Sequence, residues 1–293
     1  MQNVASTRYN IHVNSESTPL SVHFTFPLIR VVAYDQPLVW LARGWADLRA
    51  NPLPSLFYGA CFSLLGLVQL VVFRFAVDYT STLTMGFMLA GPFLAIGLYA
   101  LSRQRERGQA ADFRASLLAW RENTDGIGIY VLSLTVLFLV WARASLVTFA
   151  LFESRAMPTW ALFVQQVGSL SNLPFIATFF GVGLLFASLV FAFSVVSIPY
   201  LLDRRADAVT AAAVSVMALA KNPLAMVLWA CLIVLLIGVG MATAYVGLLV
   251  TGPLIGHATW HAYRDVVGDE VGEVVDVAGE VDAASALEKS QKD

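Results

Sequence analysis

Two histidines four residues apart are the residues whose type and spacing most directly suggest chemistry. His257 and His261 lie at the end of a long apolar stretch, and this spacing places both imidazoles on one face of a helix. Neutral histidine is a common metal ligand, and its charge changes near neutral pH. The pair therefore allows a metal or haem site, a proton-responsive gate, or simple hydrogen bonding to backbone carbonyls and phosphates at a membrane surface.

The neighbourhood of this pair lacks the other residues of a known metal motif. Position 258 is Ala, so the glutamate of the His-Glu-x-x-His zinc motif is absent. A third ligand would have to be supplied by folding, and His23, Cys231 and Asp203 are the candidates. We therefore expect no cofactor, with haem or a transition metal at the two histidines as the alternative.

The composition is that of a membrane protein. Of the 293 residues, 58% are hydrophobic and 13% are charged, and the mean hydropathy is +0.71, which lies outside the usual range of soluble domains. The glycine-rich stretches lack the Lys-Ser/Thr of a phosphate loop. We expect the lipid bilayer as a partner, with a second copy of the chain or another membrane protein as further partners, and no nucleic acid.

The apolar segments predict an all-α fold, a polytopic transmembrane helical bundle of six spans. A span needs roughly 20 residues. The predicted spans run over about 52–73, 80–101, 127–149, 173–202 and, as two spans that reverse near Gly238-Val239-Gly240, 223–263. The fourth exceeds the bilayer thickness, so we expect tilt or a bend near Pro174 or Pro199.

Small residues recur inside the first and fourth spans. Gly59, Ser63 and Gly66 lie in the first span, and Gly181 and Gly183 lie in the fourth. Small side chains allow two membrane helices to approach closely. We therefore expect these residues at helix crossings rather than in a site.

A short amphipathic segment precedes the first pair of spans. Between Gln36 and Ala50, Leu41, Trp45 and Leu48 recur at helical spacing, and Asp47 falls among them. This pattern is typical of a helix that lies in the membrane interface, although a cytosolic packing helix would show it as well.

An internal repeat relates the first and last parts of the chain. When Gly91 is placed on Gly252, other residues of the two segments also correspond. The matching positions are Pro92 and Pro253, Tyr99 and Trp260, Arg103 and Arg264, and the helix-opening pairs Asn51-Pro52 and Asn222-Pro223, in which Asn can cap the helix. We predict three parallel hairpin units, about 36–108, 109–205 and 206–267, each preceded by an interfacial helix. The alternative is that these dipeptides are common at the ends and bends of membrane helices and do not indicate a repeat.

The basic residues predict the orientation. Most of them, including the arginines of the loop from Arg103 to Arg121, fall on one side of the predicted membrane domain, so both termini are expected in the cytoplasm. The domains are then a largely disordered lead at 1–35, the membrane domain at 36–267 and an acidic disordered tail at 268–293. The connection at 156–172 is either a surface helix or a re-entrant segment.

Three segments resemble a known family. They are Ala42-Arg43-Gly44-Trp45-Ala46-Asp47-Leu48 with Asn51-Pro52, Gly86-Phe87-Met88-Leu89-Ala90-Gly91-Pro92 with Gly97-Leu98-Tyr99 and Ser102-Arg103, and the stretch from Gly252 to Arg264 that includes Trp260 and Tyr263. They look like the bacterial integral membrane proteins catalogued as domain of unknown function 2189, over roughly Val31 to Val267. The resemblance implies a bacterial inner-membrane protein with no assigned reaction.

The function predicted from these features is non-catalytic, because the sequence shows no catalytic constellation. A structural, envelope-maintenance or accessory role is expected. A small-solute carrier or channel is the first alternative, and a cavity lined by Gln69, Thr84 and Thr251 would favour it. A haem- or metal-dependent redox protein is the second alternative, and a third nitrogen, sulfur or carboxylate ligand beside His257 and His261 would favour that.

Overall fold

A computed structural model describes residues 23–75, 80–152 and 173–276 of the chain. In chain order its elements are β1 (His23–Ile29), α1 (Gln36–Ala50), α2 (Pro52–Phe75), α3 (Thr80–Glu106), α4 (Phe113–Leu118), a 3-10 helix (Ala119–Asn123), α5 (Thr124–Phe152), α6 (Leu173–Ser194), α7 (Ser197–Arg204), α8 (Ala208–Lys221), α9 (Pro223–Ala242), α10 (Leu248–Val266) and β2 (Val267–Asp276). The predicted lead before residue 23, the connection at 156–172 and the tail after residue 276 lie outside the described residues.

Four helical segments of the described residues are long and apolar enough to cross a membrane. They are Pro52–Val72, Phe113–Phe152, Leu173–Arg204 and Pro223–Ala242. Large apolar side chains on these segments are exposed, among them Leu64, Leu132, Leu184 and Leu235, as expected for helices surrounded by hydrocarbon. The chain is therefore a helical membrane protein, and its division into six spans stays a prediction.

α10 is the central helix of one half of the bundle, where it contacts α1, α2, α3 and α9. Glycine makes two of these contacts close. A Cβ on Gly44 of α1 would lie 2.7 Å from the backbone nitrogen of Ala258, and a Cβ on Gly59 of α2 would lie 2.0 Å from the carbonyl oxygen of Leu249. The backbones of these helices therefore touch directly.

The prediction of small residues at helix crossings is confirmed in α2 and is wrong in α6. A Cβ on Gly66 would overlap the ring of Tyr245, and Ser63 is buried. A Cβ on Gly181 or Gly183, in contrast, would meet nothing within 4 Å. The two glycines of α6 therefore leave open space and make no close crossing.

The second half of the bundle joins α5 to α6 and packs α8 on α6 and α7. The predicted bend of the fourth apolar segment lies between Ser194 and Ser197, just before Pro199. Proline lacks an amide proton, so it is tolerated in the first turn of a new helix rather than inside a continuous one. The hydroxyl of Ser197 donates to the carbonyl of Ala211 at 2.9 Å and ties α7 to α8.

The predicted reversal near Gly238-Val239-Gly240 is wrong, because α9 continues through these residues to Ala242. The chain turns at 243–247 instead. The hydroxyl of Thr243 accepts a hydrogen bond from the Gly247 amide at 2.8 Å, and Ala244 and Tyr245 adopt positive φ angles of 52° and 67°. The side chain of Thr243 thus closes a turn whose central residues have the left-handed conformation usually found in glycine.

The described structure also contains strands, which the all-α prediction does not include. β1 pairs with β2 as an antiparallel ribbon, with His23 opposite Asp276 and Ile29 opposite Val267. The predicted disordered lead and acidic tail thus contribute an ordered segment each. Val267, Val271 and Val274 recur among the acidic residues of β2. The prediction of a disordered tail rested on the acidic residues and did not use these valines.

The buried core lies at the end of the bundle where α3, α7 and α10 carry Arg103, Arg204 and Arg264, hereafter the arginine end. Trp40 of α1 and Trp229 of α9 are fully buried and meet edge to face, with ring centroids 5.8 Å apart. Trp260 and Tyr263 of α10 are equally buried. Aromatic packing of this kind holds α1 against α9.

Candidate functional site

Both candidate histidines lie on the face of α10 that contacts α1, α2 and α3. His257 is buried, with 1% of its surface exposed. Its Nε2 lies 2.9 Å from the Ser55 hydroxyl of α2, and its Nδ1 lies 2.7 Å from the Ser102 hydroxyl of α3. The imidazole thus bridges two helices, and the predicted helical spacing of the pair is confirmed by His261, which points to the same group of residues one turn later.

Asp47 of α1 connects the two histidines. Its Oδ2 accepts a hydrogen bond from the Ser102 hydroxyl at 2.6 Å and lies 2.9 Å from Nε2 of His261. Its Oδ1 accepts from the guanidinium of Arg105. Ser55, His257, Ser102, Asp47, His261 and Arg105 therefore form one continuous hydrogen-bond chain, the His257 network.

One assignment of protons connects Ser55, His257, Ser102 and Asp47 in a single direction. The Ser55 hydroxyl has two acceptors within reach, the Asn51 carbonyl at 2.8 Å and Nε2 of His257 at 2.9 Å, and in this assignment its single proton is directed to the histidine. Nδ1–H of His257 then donates to Ser102, and Ser102 donates to Asp47. This direction requires a neutral His257 and an ionised Asp47, and the tautomer is inferred from the hydrogen bonds.

The environment of Asp47 favours this ionised state. Asp47 is only 3% exposed, and burial raises the pKa of its carboxyl. The hydrogen bonds from His261 and Ser102 and the nearby imidazoles outweigh burial and hold the pKa below its ordinary value of 3.8. A buried carboxylate is tolerated when several donors face it, as they do here.

In the described residues, the two histidines of the His257 network make hydrogen bonds to serine and aspartate side chains. Both nitrogens of His257 are within hydrogen-bond distance of serine hydroxyls, and within the described ranges no group of three His, Cys, Asp or Glu side chains is placed to hold a metal ion. Of the candidate third ligands, Cys231 is exposed on α9 and Asp203 belongs to the ionic cluster described next. The metal and haem alternative stays a prediction that a metal analysis of the purified protein would decide.

A second polar group, the ionic cluster, lies beside the His257 network at the arginine end. Arg264 pairs with Glu106 at 2.9 Å and with Asp269 at 3.2 Å. Asp203 accepts from the Tyr263 hydroxyl at 2.8 Å, and Arg204 pairs with Asp269. The cluster borders a cavity of about 430 Å³ and ties α3, α7 and α10 to β2 through charges of both signs.

Three residues of the predicted repeat lie at the arginine end of the bundle, namely Tyr99, Trp260 and Arg103. Tyr99 and Trp260 are buried, and the indole of Trp260 donates to Glu106 at 2.8 Å. Arg103 donates to the Leu202 carbonyl at 3.1 Å and pairs with Glu122. These residues therefore fix the helices at the arginine end.

The two Asn-Pro pairs occupy equivalent places. α2 begins at Pro52, with one residue between it and the end of α1. α9 begins at Pro223, again with one residue between it and the end of α8. The Asn222 side chain makes no capping bond to α9, contrary to the prediction. It accepts from the Val32 amide at 2.8 Å and donates to the Arg30 carbonyl at 3.0 Å. Asn222 thus fastens the segment after β1 to the bundle.

The two Gly-Pro pairs border a cavity among α2, α3, α9 and α10, hereafter the interhelical cavity. Pro92 and Pro253 lie inside α3 and α10. Gly91 and Gly252 line the cavity, whose volume is about 420 Å³. The remaining lining is mostly apolar, with Gln69, Tyr99 and Tyr245 as its polar members. Of the three residues predicted for a carrier cavity, Gln69 is present, Thr251 is not among the lining residues, and the side chain of Thr84 lies outside the described part.

Sequence reasoning missed four members of the His257 network, namely Asp47, Ser55, Ser102 and Arg105. It assigned Asp47 to the polar face of an interfacial helix. The buried face of α1 instead carries Trp40, Gly44, Asp47 and Leu48. The spacing of these four residues is helical, so the sequence does contain the pattern of a buried helix face. The pattern is seen only if the acidic residue Asp47 is treated as buried. No local pattern marks Ser55 or Ser102.

Comparison with known proteins agrees with the geometry of a membrane bundle. No curated protein and no solved structure matches the chain. A family model described as "Predicted integral membrane protein (DUF2189)" matches residues 80–203, from the start of α3 to α7. The resemblance to the DUF2189 family of integral membrane proteins is thereby confirmed over residues 80–203, which contain the motif from Gly86 to Arg103. The first and last motifs lie outside the matched residues.

Proposed function

We propose that this chain is a non-catalytic protein of the bacterial inner membrane with a structural, envelope-maintenance or accessory role. One observation carries the proposal. The constellation of serine, histidine and aspartate side chains that could support catalysis is buried and serves to join α1, α2, α3 and α10.

The contact between Ser55 and His257 has the atoms of a nucleophile and its base, so a hydrolase needs to be considered. A nucleophile must reach its substrate. Ser55 is 0% exposed and His257 is 1% exposed, and neither lines the interhelical cavity or the cavity of the ionic cluster. In the described residues both groups are enclosed by α1, α2, α3 and α10, so this burial supports a structural role.

A serine-reactive fluorophosphonate tests this role. The purified protein in mild detergent is expected to carry no adduct on Ser55 after incubation, as measured by intact mass and peptide mapping, because the hydroxyl is enclosed. Heat-unfolded protein serves as the control for nonspecific labelling. An adduct on Ser55 that forms in the folded protein and disappears in His257→Gln would show an activated nucleophile and would refute the non-catalytic role.

We also propose six spans in three hairpin units, with both termini in the cytoplasm. Only five residues, 243–247, separate α9 from α10, and four separate α2 from α3. If α9 and α2 cross the membrane, α10 and α3 must return across it. α1, α4 and α8 then precede the pairs α2–α3, α5–α6 and α9–α10, which supports the predicted internal repeat.

Single cysteines test this topology in a chain whose Cys61 and Cys231 are replaced by Ala. Val31→Cys, Gln109→Cys and Val246→Cys are exposed positions before α2, after α3 and after α9. With a membrane-impermeant maleimide, the first two are expected to react only in inverted vesicles and the third only in right-side-out vesicles. Labelling of positions 31 and 109 from opposite sides would show that α3 does not cross the membrane.

The interhelical cavity is the observation that supports the alternative function of a carrier. A carrier of small polar solutes would need polar groups along the path, whereas this lining is mostly apolar. The cavity therefore favours an apolar or amphipathic molecule over a small polar solute.

A further inference from the structure

We propose that the interhelical cavity binds one hydrocarbon chain of a bilayer phospholipid, with the polar part of the lipid at the Tyr245 end. The proposal goes beyond the non-catalytic role and does not depend on it. At about 420 Å³, the cavity falls within the range of about 300–1,000 Å³ that is usual for ligand sites. Its lining is mostly apolar, and its polar residues are few.

The polar and apolar parts of the cavity lie in the order in which a lipid would need them. Tyr245 belongs to the turn that follows α9, and Gln69 lies near the end of α2, so both are close to one surface of the bundle. Leu98, Tyr99 and Gly256 line the opposite, inner part, where Tyr99 is polar only at its hydroxyl. From Leu248 to Gly256 the wall rises about 12 Å along α10. Two polar residues at the mouth and a mostly apolar interior match an amphipathic molecule whose hydrocarbon chain lies inside.

The location of the cavity identifies the source of this chain. Its walls include α2 and α9, whose outer faces expose Leu64, Val68, Val234 and Leu235 and are therefore in contact with bilayer hydrocarbon. Apolar walls gain dispersion contacts only when apolar atoms fill the space between them. Phospholipid chains surround these helices at high concentration, so even a weak preference for the cavity results in occupancy.

Gly91 provides a way to fill the cavity without disturbing its walls. It lines the cavity, and a Cβ at this position would meet nothing within 4 Å. Gly91→Leu should therefore occupy the space itself. Gly181→Leu is the matched control, because a Cβ there also meets nothing within 4 Å and Gly181 is exposed on α6. Because Gly91 precedes a proline, a second filling variant, Ala95→Leu, is paired with Ala60→Leu on the exposed face of α2.

The experiment uses the full chain in vesicles of phosphatidylethanolamine and phosphatidylglycerol with a phospholipid that carries a diazirine on one acyl chain. After illumination, peptide mass spectrometry should find crosslinks on Leu98 or Ile255, which line the cavity. Gly91→Leu and Ala95→Leu should reduce these crosslinks by about tenfold, because the filled cavity no longer buries the methylene groups of the chain. The two controls should leave them unchanged, and size-exclusion chromatography should show that all four variants are folded.

Two results would overturn the proposal. One is crosslinks confined to the outer faces, for example to Leu64 and Val234, in the unmodified protein. The other is crosslinks inside the cavity that persist at full level in both folded filling variants. Neither result would bear on catalysis, which the fluorophosphonate experiment tests separately.

Discussion

Asp47→Asn is expected to lower the free energy of unfolding by about 3 kcal/mol, because the loss of one partner from a buried hydrogen-bonded charge network is among the costliest single changes. Asp47 accepts from Ser102, His261 and Arg105. An asparagine presents two N–H donors in place of one acceptor oxygen, so at least one of these donors loses its partner. Thermal unfolding in detergent, followed by intrinsic fluorescence, measures the loss.

The control for this change is Asp269→Asn, at an ion-paired but exposed position where the carboxylate side chain is 63% exposed. Exposed ion pairs contribute about 0–1 kcal/mol, so this variant should unfold near the temperature of the unmodified protein. Equal destabilisation by the two variants would show that Asp47 is not the centre of the network.

The pH dependence of stability separates the charge of Asp47 from its packing. The pKa of Asp47 in the folded protein lies below its ordinary value of 3.8. The contribution of the carboxylate to stability is therefore fully present above pH 3.8 and is lost as the pH falls through the folded pKa. The difference in the free energy of unfolding between the unmodified protein and Asp47→Asn should therefore narrow as the pH falls below 3.8. If this difference in the free energy of unfolding stays constant in acid, the effect of Asp47→Asn comes from packing and not from charge.

The second large effect is expected from Gly59→Ala at the crossing of α2 and α10. The added Cβ would lie 2.0 Å from the Leu249 carbonyl oxygen and 2.9 Å from Cγ of Pro253. A backbone carbonyl cannot rotate away as a side chain does, so the helices must separate. Overpacking typically costs about 1–3 kcal/mol, and we expect a loss near the upper end of this range, measured as a lower unfolding temperature in detergent.

Gly183→Ala is the matched control for Gly59→Ala, since a Cβ there meets nothing within 4 Å. Both changes replace a helical glycine by alanine, which by itself favours the helix by roughly 0.5–1 kcal/mol. Gly183→Ala should therefore keep or slightly raise the unfolding temperature. If Gly59→Ala is as stable as this control, α2 and α10 do not meet as the structure shows.

The membrane bundle was predictable from the sequence because hydropathy and helix length are local properties. The Asn51-Pro52 and Asn222-Pro223 pairs and the apolar stretch from Thr80 correctly predicted where α2, α9 and α3 begin. The turn was misplaced because Gly238 and Gly240 suggested flexibility, whereas the reversal depends on the side-chain bond of Thr243. Glycine frequency alone does not determine where a helix ends.

The candidate site was only half predictable. The spacing of His257 and His261 showed that they share a face, but their partners come from helices about 155–214 residues away in the chain. No local pattern identifies Ser55 or Ser102 as those partners. The pairing of β1 with β2 was unpredictable for the same reason. The two strands are far apart in the chain, and each supplies the backbone hydrogen-bond partners of the other.

The long separation between Asp47 and its partner sets an order of events during biosynthesis. His261 follows Asp47 by 214 residues, and at synthesis rates of about 5–20 residues per second the ribosome needs roughly 10–40 s to produce it. During that interval Asp47 has only Ser102 and Arg105 as partners, which follow it by 55 and 58 residues. The docking of α1 on the bundle is therefore complete only after the final turns of α10 have been synthesised.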